Sequence, residues 1–130
     1  MPEIITTPNA LVQTTNGKRF YVNSGLVSIN NVETAVVDID NIGERDIRLN
    51  LNPIITIASS DTMTMRIYNN GIITFVCILN RNPDSDGTLE NLARFIFPSN
   101  TSLKITFQNT DDTSAHSVGV SCYGKYLSID

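Results

Sequence analysis

Period-2 alternation of apolar and polar positions runs through most of this chain, and helix-period segments are nearly absent. Ile47, Leu49 and Leu51 alternate with Arg48, Asn50 and Asn52, which predicts a half-buried strand that Pro53 ends by removing a ladder donor. Met63, Met65 and Ile67 alternate with Thr62, Thr64, Arg66 and Tyr68 and lead into Asn69-Asn70-Gly71. Asn-Gly predicts a hairpin there, because both residues accept positive φ, with a return strand over 72–79. Leu103, Ile105 and Phe107 form a third such pattern, and Val118, Val120 and Cys122 point inward from a last strand over 117–127. Shorter strands are predicted over 32–40, where Ala35, Val37 and Ile39 share a face, over 54–58, and at 11–15 as a sheet edge. Residues 19–23 and 26–30 flank Ser24-Gly25 and predict another hairpin. Residues 88–97 fit either a short helix through Leu89, Leu92, Ala93 and Ile96 or a strand beginning near Arg94.

About eight to ten short strands separated by turn residues, with no internal repeat and no linker, predict an all-β fold. The expected architecture is an antiparallel β-sandwich, jelly-roll-like, over residues 19–130. Residues 1–18 hold Pro2 and Pro8, many Thr and Asn, and little periodicity. They are expected to form an extended N-terminal arm that reaches for a neighbour through Ile4, Ile5, Leu11 and Val12, or else a frayed terminus.

The predicted strand over 72–79 breaks the rule that a sandwich strand buries one face and wets the other. One side carries Ile72, Thr74, Val76 and Ile78, and the other carries Ile73, Phe75, Cys77 and Leu79. Exposing either would leave an apolar patch of several hundred Å², which monomers rarely tolerate. Either a segment of the same chain covers it, 88–96 being the candidate, or an identical subunit does. The second reading makes Ile73, Phe75, Cys77 and Leu79 an oligomer interface.

Composition narrows the function. The 130 residues are 41% apolar and 17% charged, which suits one ordinary domain with a core and neither a disordered tail nor a membrane protein. No stretch approaches the roughly 20 apolar residues of a membrane span. The first residues lack the basic start and apolar run of a secretory signal, so synthesis and folding in the cytoplasm are expected. Cys77 and Cys122 fall in apolar strand patterns and are expected to be buried thiols, and the sequon Asn100-Thr101-Ser102 then has no consequence. A net charge of −4 with nine Lys and Arg scattered along the chain argues against nucleic acid as partner.

No catalytic signature is present, and no cofactor or metal is expected. The one histidine, His116, follows an Asn-Thr-Asp turn much as a cupredoxin ligand would, but a copper site needs a second histidine. Asn82-Pro83-Asp84-Ser85-Asp86-Gly87 opens like a calcium loop yet would place Ala93 where a bidentate Glu belongs. Asp111-Asp112 and the pair Asp38 and Asp40 read as solvated acidic positions. The segment 119–125 ends in Gly-Lys without the spacing of a phosphate-binding loop. Sugar binding by a sandwich draws on exposed aromatics. Of Tyr21, Tyr68, Tyr123 and Tyr126, the pair Tyr68 and Tyr126 is the candidate glycan-binding set.

The hairpin Met63-Thr64-Met65-Arg66-Ile67-Tyr68-Asn69-Asn70-Gly71-Ile72-Ile73-Thr74-Phe75 and the ending Ser117-Val118-Gly119-Val120-Ser121-Cys122-Tyr123-Gly124-Lys125-Tyr126-Leu127, in a Trp-free chain rich in Ile, Thr and Asn, give residues 19–130 a recognisable style. It resembles the capsid decoration (cement) proteins on the virions of tailed bacteriophages. That resemblance implies a non-enzymatic structural role: a homotrimer of β-sandwich subunits binds the major capsid protein from outside and clamps an assembled shell. A receptor- or glycan-binding fibre tip, or a stand-alone carbohydrate-binding module, is the alternative expectation.

Overall fold

The alternating segments become antiparallel strands stacked in two sheets. The structure is a computed structural model and describes residues 11–15, 19–55, 62–80, 93–110 and 115–127. In chain order its strands are β1 (Leu11–Thr15), β2 (Arg19–Asn23), β3 (Val27–Ile29), β4 (Thr34–Ile39), β5 (Ile47–Ile55), β6 (Thr62–Asn69), β7 (Ile72–Asn80), β8 (Ala93–Phe97), β9 (Leu103–Asn109) and β10 (His116–Tyr126). One sheet has the order β1-β2-β10-β5-β8 with β3 also on β10, and the other has the order β4-β9-β6-β7. The pairings are nested: β3 with β10, β4 with β9, β5 with β8, and β6 with β7. An antiparallel ribbon that pairs in this way and rolls into two facing sheets is a jelly roll.

The core lies between the sheets. Phe20, Val22, Leu49, Val120 and Cys122 from one sheet and Met65, Ile67, Ile105 and Phe107 from the other are buried. Each such side chain contributes about 1.5–3 kcal/mol by leaving water. At the β7–β8 side the layers close through Phe75 and Phe95, whose rings meet edge to face at 5.1 Å.

Three local expectations change. Ser24-Gly25 does not turn a hairpin: β2 and β3 both pair with β10, over Ser121–Lys125 and His116–Val118 respectively. They form one strand line, kinked where Gly25 takes a φ of 68°. The kink is held because the buried Ser24 hydroxyl accepts from the Val120 amide at 2.9 Å and donates to the Gly25 carbonyl at 2.7 Å. Pro53 does not end its strand either, since β5 runs through it to Ile55, opposite Val118. Val120, across from Pro53, points its own amide and carbonyl at Ser24. That position of the β5–β10 ladder therefore needs no donor from Pro53.

In β4 a bulge between Ala35 and Val37 breaks the simple alternation, so Val36, Val37 and Ile39 are buried and Ala35 is only half-buried. Of the two readings left open for 88–97, the strand holds over Ala93–Phe97; residues 88–92 lie outside the described set. Residues 11–15, at the end of the expected arm, pair with β2 from Leu11↔Asn23 to Thr15↔Arg19, and residues 1–10 lie outside the described set. The Asn70-Gly71 hairpin stands as expected, with φ of 53° and 77°. Asn70 also fastens it to the next turn by accepting from the Ser102 amide at 2.9 Å.

The kink leaves no room beside it. A Cβ on Gly119 would lie 2.4 Å from the Gly25 carbonyl oxygen, a backbone atom that cannot swing aside. Gly119→Ala should therefore destabilise the fold by about 1–3 kcal/mol in urea unfolding. A midpoint equal to that of the parent chain would contradict the close crossing.

Candidate functional site

β7 is the first surface of interest. Among the described residues it has one neighbour, β6, and so forms a sheet edge. Its register against β6 shifts between Ile67 and Tyr68: Phe75 faces Ile67, but Ile73 faces Tyr68. Thr74 is the extra residue, and its hydroxyl donates to the Ile67 carbonyl at 3.1 Å. The bulge re-aims the chain. Phe75 and Cys77 pack on the core, whereas Ile73 joins Val76 and Ile78 on the outer face, opposite Tyr68, Arg66 and Thr64. The proposed set Ile73, Phe75, Cys77 and Leu79 is thus not one surface. Leu79 is paired with Met63 in the β6–β7 ladder. The outward row is strongly exposed instead, Ile73 at 50%, Val76 at 51% and Ile78 at 66%.

The second surface lies on the outer face of the larger sheet. Arg19, Lys125 and Arg48 stand side by side on β2, β10 and β5, because Lys125 is in register with both arginines. The next row is Tyr21, Tyr123, Asn50 and Arg94, each paired with the one before it. These rows line a concavity of about 500 Å³ that, among the described residues, contains no aspartate or glutamate. The Arg94 Nε donates to Asn50 Oδ1 at 3.1 Å, which fixes that guanidinium over the sheet. Among the described residues no carboxylate comes within ion-pair distance of these four cations; the ion pair present is Arg66–Glu33, at 3.6 Å on the other sheet.

The sequence reading missed this site. Its four cations are scattered along the chain, and the strand order alone brings them together. The legible signal was the polar face of each strand: Arg19 with Tyr21, Arg48 with Asn50, Arg94, and Tyr123 with Lys125 carry no acid.

On the outer face of the smaller sheet a polar cluster spans β4's lead-in, β6 and β9. Glu33 accepts from the Tyr68 hydroxyl and from the Thr106 hydroxyl at 2.7 Å, while Arg66 donates to Gln108 at 2.9 Å. Lys104 lies 5.0 Å from the centre of the Tyr68 ring. The hydrogen bonds from Tyr68 and Thr106, helped by Arg66 and Lys104, hold the Glu33 carboxyl below its ordinary value. Conversely, donation to Glu33 pushes the Tyr68 hydroxyl up. This cluster ties three strands and occupies Tyr68.

The two tyrosines expected to hold a glycan are on different sheets. Tyr126 is buried in the core, edge to face with Phe20 at 6.0 Å, and its hydroxyl donates to the Ile42 carbonyl at 3.1 Å. It has no ring face to offer a sugar. Of the remaining expected residues, Leu11 and Val12 sit in β1 opposite Asn23 and Val22, and Ile4 and Ile5 lie outside the described residues, as do 82–87 and Asp111-Asp112. His116 opens β10 opposite Ile29. Asp38 faces Lys104 across the β4–β9 ladder, and Asp40 is exposed. Cys122 is fully buried and Cys77 half-buried, and burial raises both thiols above the ordinary range.

No family model and no curated protein matches the chain. Among solved structures it is similar to the infectious bursal disease virus VP2 subviral particle, with 13% identity, 83% of this chain and 32% of that chain covered, and a TM-score of 0.49. It is also similar to the T=1 particles derived from infectious bursal virus, with 11% identity, 98% and 41% coverage, and a TM-score of 0.49. Both neighbours are viral particles. The chain spans about a third to two-fifths of those chains, and overlap at this level carries no argument about what it does.

The polar cluster sets a pH dependence with a definite sign. A lowered Glu33 value stabilises the fold above the ordinary glutamate range and ceases to do so as pH falls through the lowered value. The melting temperature of Glu33→Gln should accordingly fall less on acidification below about pH 4 than that of the parent. In Tyr68→Phe, the Glu33 carboxyl followed by NMR should titrate closer to the ordinary value; an unchanged titration would contradict the hydrogen bond's role. In the core, burial pushes the Tyr126 hydroxyl up to about 12, so this tyrosine should ionise late in an ultraviolet titration. Tyr126→Phe should remove that late step and cost about 1 kcal/mol by leaving the Ile42 carbonyl without its donor.

Proposed function

We propose that this protein is a non-enzymatic structural component of a virion surface, a homotrimeric decoration knob that binds an assembled capsid through the major capsid protein and stabilises it. The observation that carries the reading is the outward row Ile73, Val76 and Ile78 on an edge strand. Three branched aliphatic side chains on one long free edge are costly to leave in water and invite pairing with unrelated chains. Closed packing of three copies around an axis buries that row and removes the exposed edge together. The sequence resemblance to decoration proteins supplies the setting, and the N-terminal residues Ile4 and Ile5 are proposed to lie against the shell.

The mechanism is thermodynamic. A protein that binds the assembled lattice and not its free subunits stabilises the lattice by mass action. A trimer strengthens this, because once one subunit is seated the next contacts are effectively intramolecular. No bond is made or broken.

Virions assembled without the protein should disassemble at lower temperature and lose resistance to osmotic shock, and adding the purified protein back should restore both. A Val76→Asp, Ile78→Asp double variant should fold, since both positions are exposed, yet fail to restore them. Equal melting and shock resistance with and without the protein would overturn the reading.

A further inference from the structure

The outer face of β2-β10-β5-β8 combines features that oppose folding unless something completes them. Arg19, Lys125 and Arg48 are direct cross-strand neighbours, and like charges placed opposite each other in a sheet destabilise it. The chain as a whole is acidic, at −4, yet among the described residues no carboxylate lines this concavity. Charge repulsion retained in one place, in a protein with acid to spare, marks a site where stability yields to binding.

Shape and chemistry define what fits. At about 4.8 Å between strands, the three-cation row spans about 10 Å. The volume of about 500 Å³ lies within the range of small-ligand pockets. Guanidinium forks bind sulfate, carboxylate or phosphate in pairs of parallel hydrogen bonds. Beside the cations, Tyr21 and Tyr123 are neighbours across β2 and β10, and Tyr123 is 40% exposed. Tyrosine rings give a sugar an apolar face with a polar rim. Asn50, its oxygen taken by Arg94, presents amide hydrogens.

The alternatives fit less well. Reading a duplex requires an element that enters a groove, and this site is concave. A single strand needs a basic track with successive stacking platforms, whereas these cations sit together in two rows. A peptide strand needs an open sheet edge, and this is a sheet face.

We propose that the concavity is a binding site for an acidic saccharide, whose sulfate or carboxylate groups bridge Arg19, Lys125 and Arg48 while its rings lie against Tyr21 and Tyr123. The site is independent of the virion reading: it lies on the sheet opposite β7 and uses none of the same residues.

Calorimetric titration of the full chain at low ionic strength tests it, with a heparin-derived tetrasaccharide, an unsulfated hyaluronan tetrasaccharide, a neutral chitin tetrasaccharide and a short oligothymidylate as probes. At least one acidic saccharide should bind, more weakly as salt is added, and the neutral one should not. The two acidic probes separate a sulfate site from a carboxylate site. Arg48→Gln and Lys125→Gln should each weaken binding about tenfold or more, with a melting temperature unchanged or raised because repulsion is relieved. Tyr123→Ala should weaken it too, and Lys104→Gln, on the other sheet, should not. Four outcomes would each overturn the proposal: no binding of either acidic saccharide, equal binding of the neutral one, tighter binding of oligothymidylate, or variants that melt lower while binding as before.

Discussion

Everything in this fold leans on β10. Its eleven residues pair with β2 and β3 on one side and β5 on the other, and their inward side chains Val118, Val120 and Cys122 form the middle of the core. The strand accepts a kinked neighbour because two glycines meet: Gly25 turns the chain with a positive φ, and Gly119 lets that carbonyl approach within a distance no side chain allows. Ser24 then supplies the hydrogen bonds that the kink removes from the ladder. Most of these contacts join distant parts of the chain, so the ribbon must close before its core rewards it, a topology that folds slowly.

The same spine determines what the surfaces can do. By placing β2 and β5 on either side of Tyr123 and Lys125, β10 aligns four strands' polar positions into one basic concavity. On the opposite sheet the polar positions answer each other: Glu33 receives Tyr68 and Thr106, and Asp38 faces Lys104. One sheet therefore neutralises its outer face internally and the other does not. The smaller sheet keeps its own unfinished element at β7, where the want is apolar cover rather than an anion. Two incomplete surfaces of different chemistry on one small domain suit a protein that holds itself to copies of itself with one and meets something else with the other.

Much of this architecture was legible in the residues. Alternation located the strands, and Asn70-Gly71 located its hairpin, because both signals are local. Ser24-Gly25 and Pro53 misled for a shared reason: whether a glycine turns a chain back or kinks it, and whether a proline ends a strand, depends on what the neighbouring strand asks of the backbone. β7 misled through Thr74, since one inserted residue reverses the faces beyond it and moves Ile73 away from Phe75. Tyr126 looked like a surface aromatic until its hydroxyl found the Ile42 carbonyl. The basic concavity is a property of strand order, so no window of sequence contains it.

The central claim is that copies of this chain cover the outward face of β7. Light scattering coupled to size exclusion at low micromolar concentration tests it most directly. The account predicts a particle of three times 14.3 kDa, reduced to single chains when Val76 and Ile78 are replaced by aspartate. A parent chain that runs as a monomer across the concentration range would contradict it.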